Sequence, residues 1–345
     1  MNIQGIVDKA KYIVDRHRLD EGVYARWLWQ EKRAERDGIV SSAPGMPALR
    51  NLGVNEYGCA DAANILYIIG QFIQEPEKRA AWIKTLRGLQ NPETGMYSEP
   101  THHTIHTTAH CIAALELFDA MPLYPLRGLE KYLQYEELDQ LLTNLDWENS
   151  PWNNSHQGAG VFAALVITRM CSLEWQQYYF KWLHDRADPV TGLGLKGRHG
   201  SAPLYWQLNG WFHYFFNHEF AHMPIPYPEK LLDSCIAMFR NKETELDRFF
   251  GRRAGFCEID WVFAMNRASR QTPHRNAEVK DLLMDFAQGF LAWLDAQDPD
   301  TRDDINDLHM LFGAMCAVAE LQIALPGEFS TEYPLKNVLD RRPFI

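Results

Sequence analysis

Apolar residues gather in six stretches that open near Cys59, His106, His156, Trp206, Cys257 and Ile305, at steps of 47, 50, 50, 51 and 48 residues. Each stretch is rich in small side chains, as in Ala60-Asp61-Ala62-Ala63 or Gly158-Ala159-Gly160-Val161. A repeat of this length implies one supersecondary unit used again and again. The stretches are apolar nearly all round, the pattern of helices buried on both sides. Between them lie segments with one apolar face. In 76–90, Ala80, Ile83, Leu86 and Leu89 fall at helical spacing. The segments 128–145, 172–187, 228–239 and 277–297 read alike, and a sixth lies within 3–36.

The turns repeat as well. Asn91-Pro92-Glu93-Thr94-Gly95, Asp188-Pro189-Val190-Thr191-Gly192 and Asp298-Pro299-Asp300-Thr301 each follow an outer segment. Proline stops a helix there and glycine reverses the chain. The unit is outer helix, turn, inner helix. Six such hairpins close into a ring, so the expected fold is all-α, an (α/α)6 toroid over 1–327. The stretch 328–345 falls outside the repeat and is expected to pack on the ring as an extension.

In such a ring the N-terminal ends of the inner helices surround one mouth, where free N–H groups favour anionic charge. The residues before and at those ends are the candidates. They are Glu56, Tyr57, Cys59 and Asp61, then His102, His103, His106 and His110, then Trp147, Glu148, Trp152, Asn153, Asn154 and His156. The later repeats bring Arg198, His199, Tyr205 and Trp206, then Arg253, Cys257, Glu258, Asp260 and Trp261, then Asp304, Asn306, Asp307 and His309. Crowded carboxylates raise one another's pKa and become general acids, and imidazoles are the usual general bases. Tryptophan faces beside polar groups suit sugars. Asp61, Asp260 and Asp307 are equally suited to capping helices.

Charge and cysteine usage narrow the partners. A net charge of −11 argues against nucleic acid. The six cysteines stand singly, with no Cys-x-x-Cys, as expected of reduced thiols in a cytoplasmic protein. The N-terminal stretch is charged and unlike a secretory signal, and no apolar run has membrane-spanning length. A small molecule or an oligosaccharide is the expected partner.

Asn153-Asn154-Ser155-His156, with Ser201-Ala202-Pro203-Leu204-Tyr205 about fifty residues on, resembles the toroid domains of heparinase- and alginate-lyase-type polysaccharide lyases. There the resemblance implies that Asn154 neutralises a uronate carboxylate, His156 takes the C5 proton and Tyr205 protonates the leaving oxygen. Ser155 is an extra residue within that motif. A hydrolase would instead draw on Glu56, Asp61, Glu258, Asp260 and Asp304, and an epimerase on the same acid–base groups. In each case Tyr57, His102, His106, Trp147, Trp152, Arg198, His199, Trp206, Trp261 and His309 would bind substrate.

The repeat Leu89-Gln90-Asn91-Pro92-Glu93-Thr94-Gly95-Met96-Tyr97, running into His106-Thr107-Thr108-Ala109-His110, is similar to that of terpene cyclase and protein prenyltransferase toroids. That likeness implies terpenoid chemistry as an alternative, with Asp260 or Asp304 as acid or metal ligand. It also implies a zinc set of Cys257, Asp260 and His309, although no cofactor is the leading expectation. A non-catalytic scaffold for a protein segment is the third class.

Overall fold

The computed structural model describes residues 1–29, 49–198, 203–302 and 304–345. The chain is mostly helical. It opens with α1 (Gln4–His17), followed by the strands β1 (Arg18–Asp20), β2 (Val23–Trp29) and β3 (Leu49–Val54). The helices α2 (Glu56–Ile68), α3 (Pro76–Gly88) and α4 (Thr104–Leu117) come next. A 3-10 turn at Arg127–Leu133 leads into α5 (Tyr135–Asn144), α6 (Pro151–Ile167) and α7 (Leu173–Arg186). The second half holds α8 (Leu204–Phe220), α9 (Pro228–Arg240), the single turn α10 (Lys242–Glu245) and α11 (Cys257–Ser269). It ends with α12 (Asn276–Ala296) and α13 (Leu308–Ala324).

All six apolar stretches are helices: α2, α4, α6, α8, α11 and α13. Each is buried along nearly its whole length. α2 packs on α4, α4 on α6, α6 on α8, α8 on α11, α11 on α13, and α13 returns to α2. The amphipathic segments lie against them, with α9 touching α8 and α11, α12 touching α11 and α13, and α1 touching α13 and α2. Close approach needs missing side chains at two points. A Cβ on Gly313 of α13 would stand 2.5 Å from the Gly255 carbonyl oxygen, and one on Gly210 of α8 would stand 2.8 Å from Pro151.

The turns form as their residues dictate. Gly95 and Gly192 both have left-handed φ, of 73° and 71°, and each amide N–H donates back to the first residue of its turn, Asn91 or Asp188. The predicted outer segment 128–145 is instead split between the 3-10 turn and α5.

Two features depart from a purely helical expectation. Strands β1, β2 and β3 form a three-stranded antiparallel sheet in that order. Its aromatic, alternating sequence Val23-Tyr24-Ala25-Arg26-Trp27 suits a strand. The C-terminal segment also goes deeper than a strap. Arg342, Phe344 and Ile345 are buried, and Asn217 Nδ2 of α8 donates to the Pro343 carbonyl at 2.9 Å.

An ion-pair network ties that segment to the C-terminal ends of the inner helices. Arg267 of α11 donates to Glu320 of α13 at 2.7 and 2.8 Å and to Asp340 at 2.7 Å. Asn266 and Asn337 also bond Glu320, which is fully buried. Arg341 holds Glu116 of α4 at 2.9 Å. Replacing Arg267 with Met leaves the Glu320 charge without its main partner. The expected cost in a guanidinium-chloride melt is about 3–5 kcal/mol, and the double variant with Glu320→Gln should recover part of it.

Candidate active site

At the N-terminal ends of the inner helices lies a cavity of about 340 Å³. Five imidazoles line it: His102, His106, His156, His213 and His309. They come from the segment before α4, from α4 itself, and from α6, α8 and α13. Arg26 and Leu28 of β2, Thr101, Trp152, Asn153, Phe256, Asp307, Met310 and Ile345 complete the wall. His106 and His156 meet edge to face at 4.6 Å between ring centres, and His213 stands 5.4 and 5.8 Å from them. Phe344 packs on both His106 and His213.

A second layer fixes these rings. Asp61 of α2 is wholly buried and bonds His110 Nε2 at 2.8 Å and His309 Nδ1 at 3.2 Å. Burial pushes its pKa up, but His309 and His110 outweigh that and hold the carboxyl well below its ordinary range. An ionised carboxylate only accepts, so the proton of neutral His309 sits on Nδ1 and Nε2 is its basic nitrogen. Tyr57 stacks on His102 at 4.3 Å and on His110 at 4.8 Å, and its hydroxyl lies 2.6 Å from His106 Nδ1. In α6, His156 Nδ1 lies 2.6 Å from the Trp152 carbonyl. A carbonyl cannot donate, so Nδ1 carries the proton and His156 Nε2, which is buried and without a partner, keeps its lone pair.

Burial sets the charge state. It lowers the His156 and His309 pKa values to about 4 and takes those of His106 and His213 well below the ordinary 6.5, helped by the neighbouring rings. The imidazoles of these four residues are neutral at pH 7. Arg26 is the one cationic side chain on the wall among the described residues, and it is occupied. It bonds Asp307 at 3.2 Å and Thr101 at 2.8 Å, faces Glu99 at 3.6 Å and lies 5.0 Å over the Tyr57 ring. Asp307 does double duty, since it also caps α13 by accepting from the His309 N–H at 3.1 Å. The capping expectation holds for Asp307 alone. Asp61 and Asp260 lie within α2 and α11, whose preceding residues are Asn55 and Phe256.

The structure gathers His102, His106, His156, His309 and Trp152 on the cavity and sets Tyr57 and Asp61 directly behind it. Other candidates lie elsewhere. Asn154 lines a separate surface depression with Lys131 and Gln157, and its Nδ2 donates to the Ser150 carbonyl. Tyr205 is partly buried beside the exposed Trp206. Asn154, His156 and Tyr205 therefore share no cavity. Trp147 and Trp261 are core residues whose indole N–H groups donate to the Leu142 and Cys235 carbonyls. Arg198 pairs with Glu148 at 3.1 Å, and Asp304 is held by Arg302 at 2.6 and 2.9 Å. His199 lies outside the described residues.

The acids do not crowd at the cavity. Glu258 is buried, accepts from the Gly251 N–H at 2.9 Å and is pushed up to about 7 by burial. Asp260 bonds Asn209 and is raised well above its ordinary value, again by burial. Mutual repulsion, the expected cause, is minor. Nor does a zinc set form from Cys257, Asp260 and His309. Cys257 Sγ faces Asn209 and Arg253, each at 3.8 Å, while His309 faces Asp61. Among the described residues, one set of three metal-ligating side chains brings its donor atoms within 4.8 Å of one another: Asp61, His110 and His309.

Sequence reasoning missed Arg26, Thr101 and His213. A lone charge in an aromatic strand and a lone imidazole within Trp211-Phe212-His213-Tyr214 were the available signals.

The buried imidazoles predict acid sensitivity. Between about pH 6.5 and 4.5 the unfolded chain takes up protons on His106, His156, His213 and His218 that the folded chain refuses, so stability falls with pH. Glu258 and Asp260 act oppositely, because the folded chain keeps protons there that the unfolded chain releases. Glu56 joins them, but His17, His110 and His309 join the lowered imidazoles, which outnumber the raised carboxyls and leave a net loss on the order of several kcal/mol per pH unit. Urea midpoints measured from pH 7 to pH 4.5 should fall steadily, and a flat profile would contradict this balance.

No family model, curated protein or solved structure matches this chain, so its chemistry rests on the geometry of the site itself.

Proposed function

We propose that the six helical hairpins form a closed (α/α)6 toroid and that the histidine-lined cavity at its mouth is the active site of a carbohydrate-active enzyme working by proton transfer. The return of α13 to α2 supports the closed ring. The observation that carries the chemistry is a pair of adjacent imidazoles in opposite tautomers. His156 donates through Nδ1 to a carbonyl and presents a lone pair on Nε2. The Tyr57 hydroxyl lies 2.6 Å from His106 Nδ1; with the phenol donating there, the arrangement this reading takes, the His106 proton stands on Nε2. A base and an acid thus stand with ring centres 4.6 Å apart.

Two further observations choose among sugar chemistries. Two-carboxylate hydrolysis needs a pair of acids flanking the bond. Asp307 is the one carboxylate side chain on the wall among the described residues, and Arg26 engages it. Uronate elimination needs a group that neutralises the substrate carboxylate; Asn154 lies away from the cavity, and Arg26 is taken by Asp307 and Glu99. The reading that remains is proton removal and return beside the carbonyl of a neutral sugar, as in an epimerase or isomerase. His156 Nε2 takes the proton from carbon, and the His106 Nε2–H supports the oxygen on which charge develops. Trp152 offers a face for the ring, and Asn153 offers a hydrogen-bonding amide. The volume is at the small end for ligand pockets and suits a monosaccharide or one end of an oligosaccharide.

Incubation with neutral aldoses and ketoses in heavy water, followed by NMR, should show deuterium entering at the carbon beside the carbonyl. His156→Gln should slow that exchange about 10²–10⁴-fold, and Tyr57→Phe should slow it less. Exchange at the wild-type rate in His156→Gln would remove this reading. Formation of an unsaturated product from uronates would favour the lyase instead.

A further inference from the structure

We propose that Asp61, His110 and His309 bind a divalent first-row transition ion, zinc being the best match, at the inner wall of the cavity. The three side chains come from α2, α4 and α13, which are neighbours in the packing. Their donor atoms lie within 4.8 Å of one another. Ligands bound at about 2.0–2.2 Å to one ion stand roughly 3.0–3.5 Å apart. His309 Nδ1 lies 3.2 and 3.4 Å from the two Asp61 oxygens, within that range, and His110 Nε2 lies 2.8 Å from Oδ1, just below it; binding would displace the protons these nitrogens share with Asp61, each ring keeping one on its other nitrogen.

The donor set is two imidazoles and a carboxylate, the combination that zinc takes in catalytic sites with a further position left open. All three residues are buried, and Asp61 and His110 are wholly so. His309 alone of the three lines the cavity, so the ion is reached from there. A supporting ring fixes the ligands. Tyr57 stacks on His110 at 4.8 Å and meets His309 edge-on at 4.6 Å, holding two imidazole planes that an ion requires to stay put. The ion also supplies what the wall lacks. Arg26 is consumed by its carboxylates, and developing negative charge on a sugar oxygen needs a positive partner. Only this catalytic use rests on the proton-transfer reading, whereas the ligand set stands apart from it.

The test uses the full chain, stripped with a chelator and titrated with Zn²⁺ and with Co²⁺. One equivalent per chain is expected, with a raised Tm and a visible Co²⁺ absorption band from low-symmetry coordination. Asp61→Asn and His110→Gln should each weaken binding more than about 100-fold, while His156→Gln should leave it within about twofold of wild type. Should Asp61→Asn fail to fold, the wild-type stoichiometry and Co²⁺ spectrum together with His110→Gln carry the test. A hydrogen-bonded trio that needs no ion gives no binding at millimolar metal, and that result overturns the proposal. So does binding that survives both ligand replacements but is lost in His156→Gln. Bound metal without sugar exchange sinks the sugar reading and leaves the site. Sugar exchange at full rate in the stripped protein removes the ion from catalysis.

Discussion

The inner helices are buried on every face, and a polar side chain that points inward finds no water there. It is satisfied, where it is satisfied, by its own backbone or by a neighbouring element. Much of the chemistry of this protein follows from that constraint. Asp61 of α2 is satisfied by α4 and α13, Asp260 of α11 by Asn209 of α8, and Asn217 of α8 by Tyr179 of α7 and by the C-terminal segment. Each bond crosses between helices, so each fixes a relative position as well as a protonation state. The site is thus a by-product of helix packing that has been made specific by which polar residues were placed inside.

The two ends of the inner helices use the same constraint differently. At their C-terminal ends full charges are matched to full charges, with Arg267 against Glu320 and Asp340, and Arg341 against Glu116. Such a network fastens the last residues of the chain in place and offers no free base. At the N-terminal ends imidazoles stand beside the paired charges of Arg26, Asp307 and Glu99. A buried imidazole escapes the cost of charge by staying neutral, and a neutral imidazole keeps a lone pair. The first end is suited to holding and the second to reacting.

The helices were legible because their signals are local. Apolar periodicity, the proline and glycine turns, and the repeat length each survive without knowledge of partners, and all six inner stretches are helices. The short sheet was not, since β2 pairs with a strand some twenty residues away as well as with β1. The site was legible by half. His102, His106, His156 and His309 lie at or within four residues of the openings of their segments, and the repeat pointed to them. Trp147 and Trp261 flank such openings too, yet their indoles turn into the core, because one more aromatic ring at a helix start packs as well inward as toward a ligand. Arg26 and His213 were beyond reach, since a strand supplies one and the other sits about two turns into its helix. Asp61 was found by type, but its task came from His110 and His309, and no spacing rule joins residues 248 positions apart.

The buried acids show why residue type alone misleads. Glu258 and Asp260 have the raised pKa values sought in general acids, and each leaves one oxygen without a partner. Neither lines the cavity. A raised pKa reports the loss of water, and water is lost both in a reactive cavity and in a sealed core. What separates the two is a space for substrate beside the group. His156 has both the perturbed pKa and the space, and Glu258 has only the first. A proton held where nothing can reach it does no catalysis. The five imidazoles around one opening, rather than the two buried carboxyls of raised pKa, therefore carry the proposed chemistry.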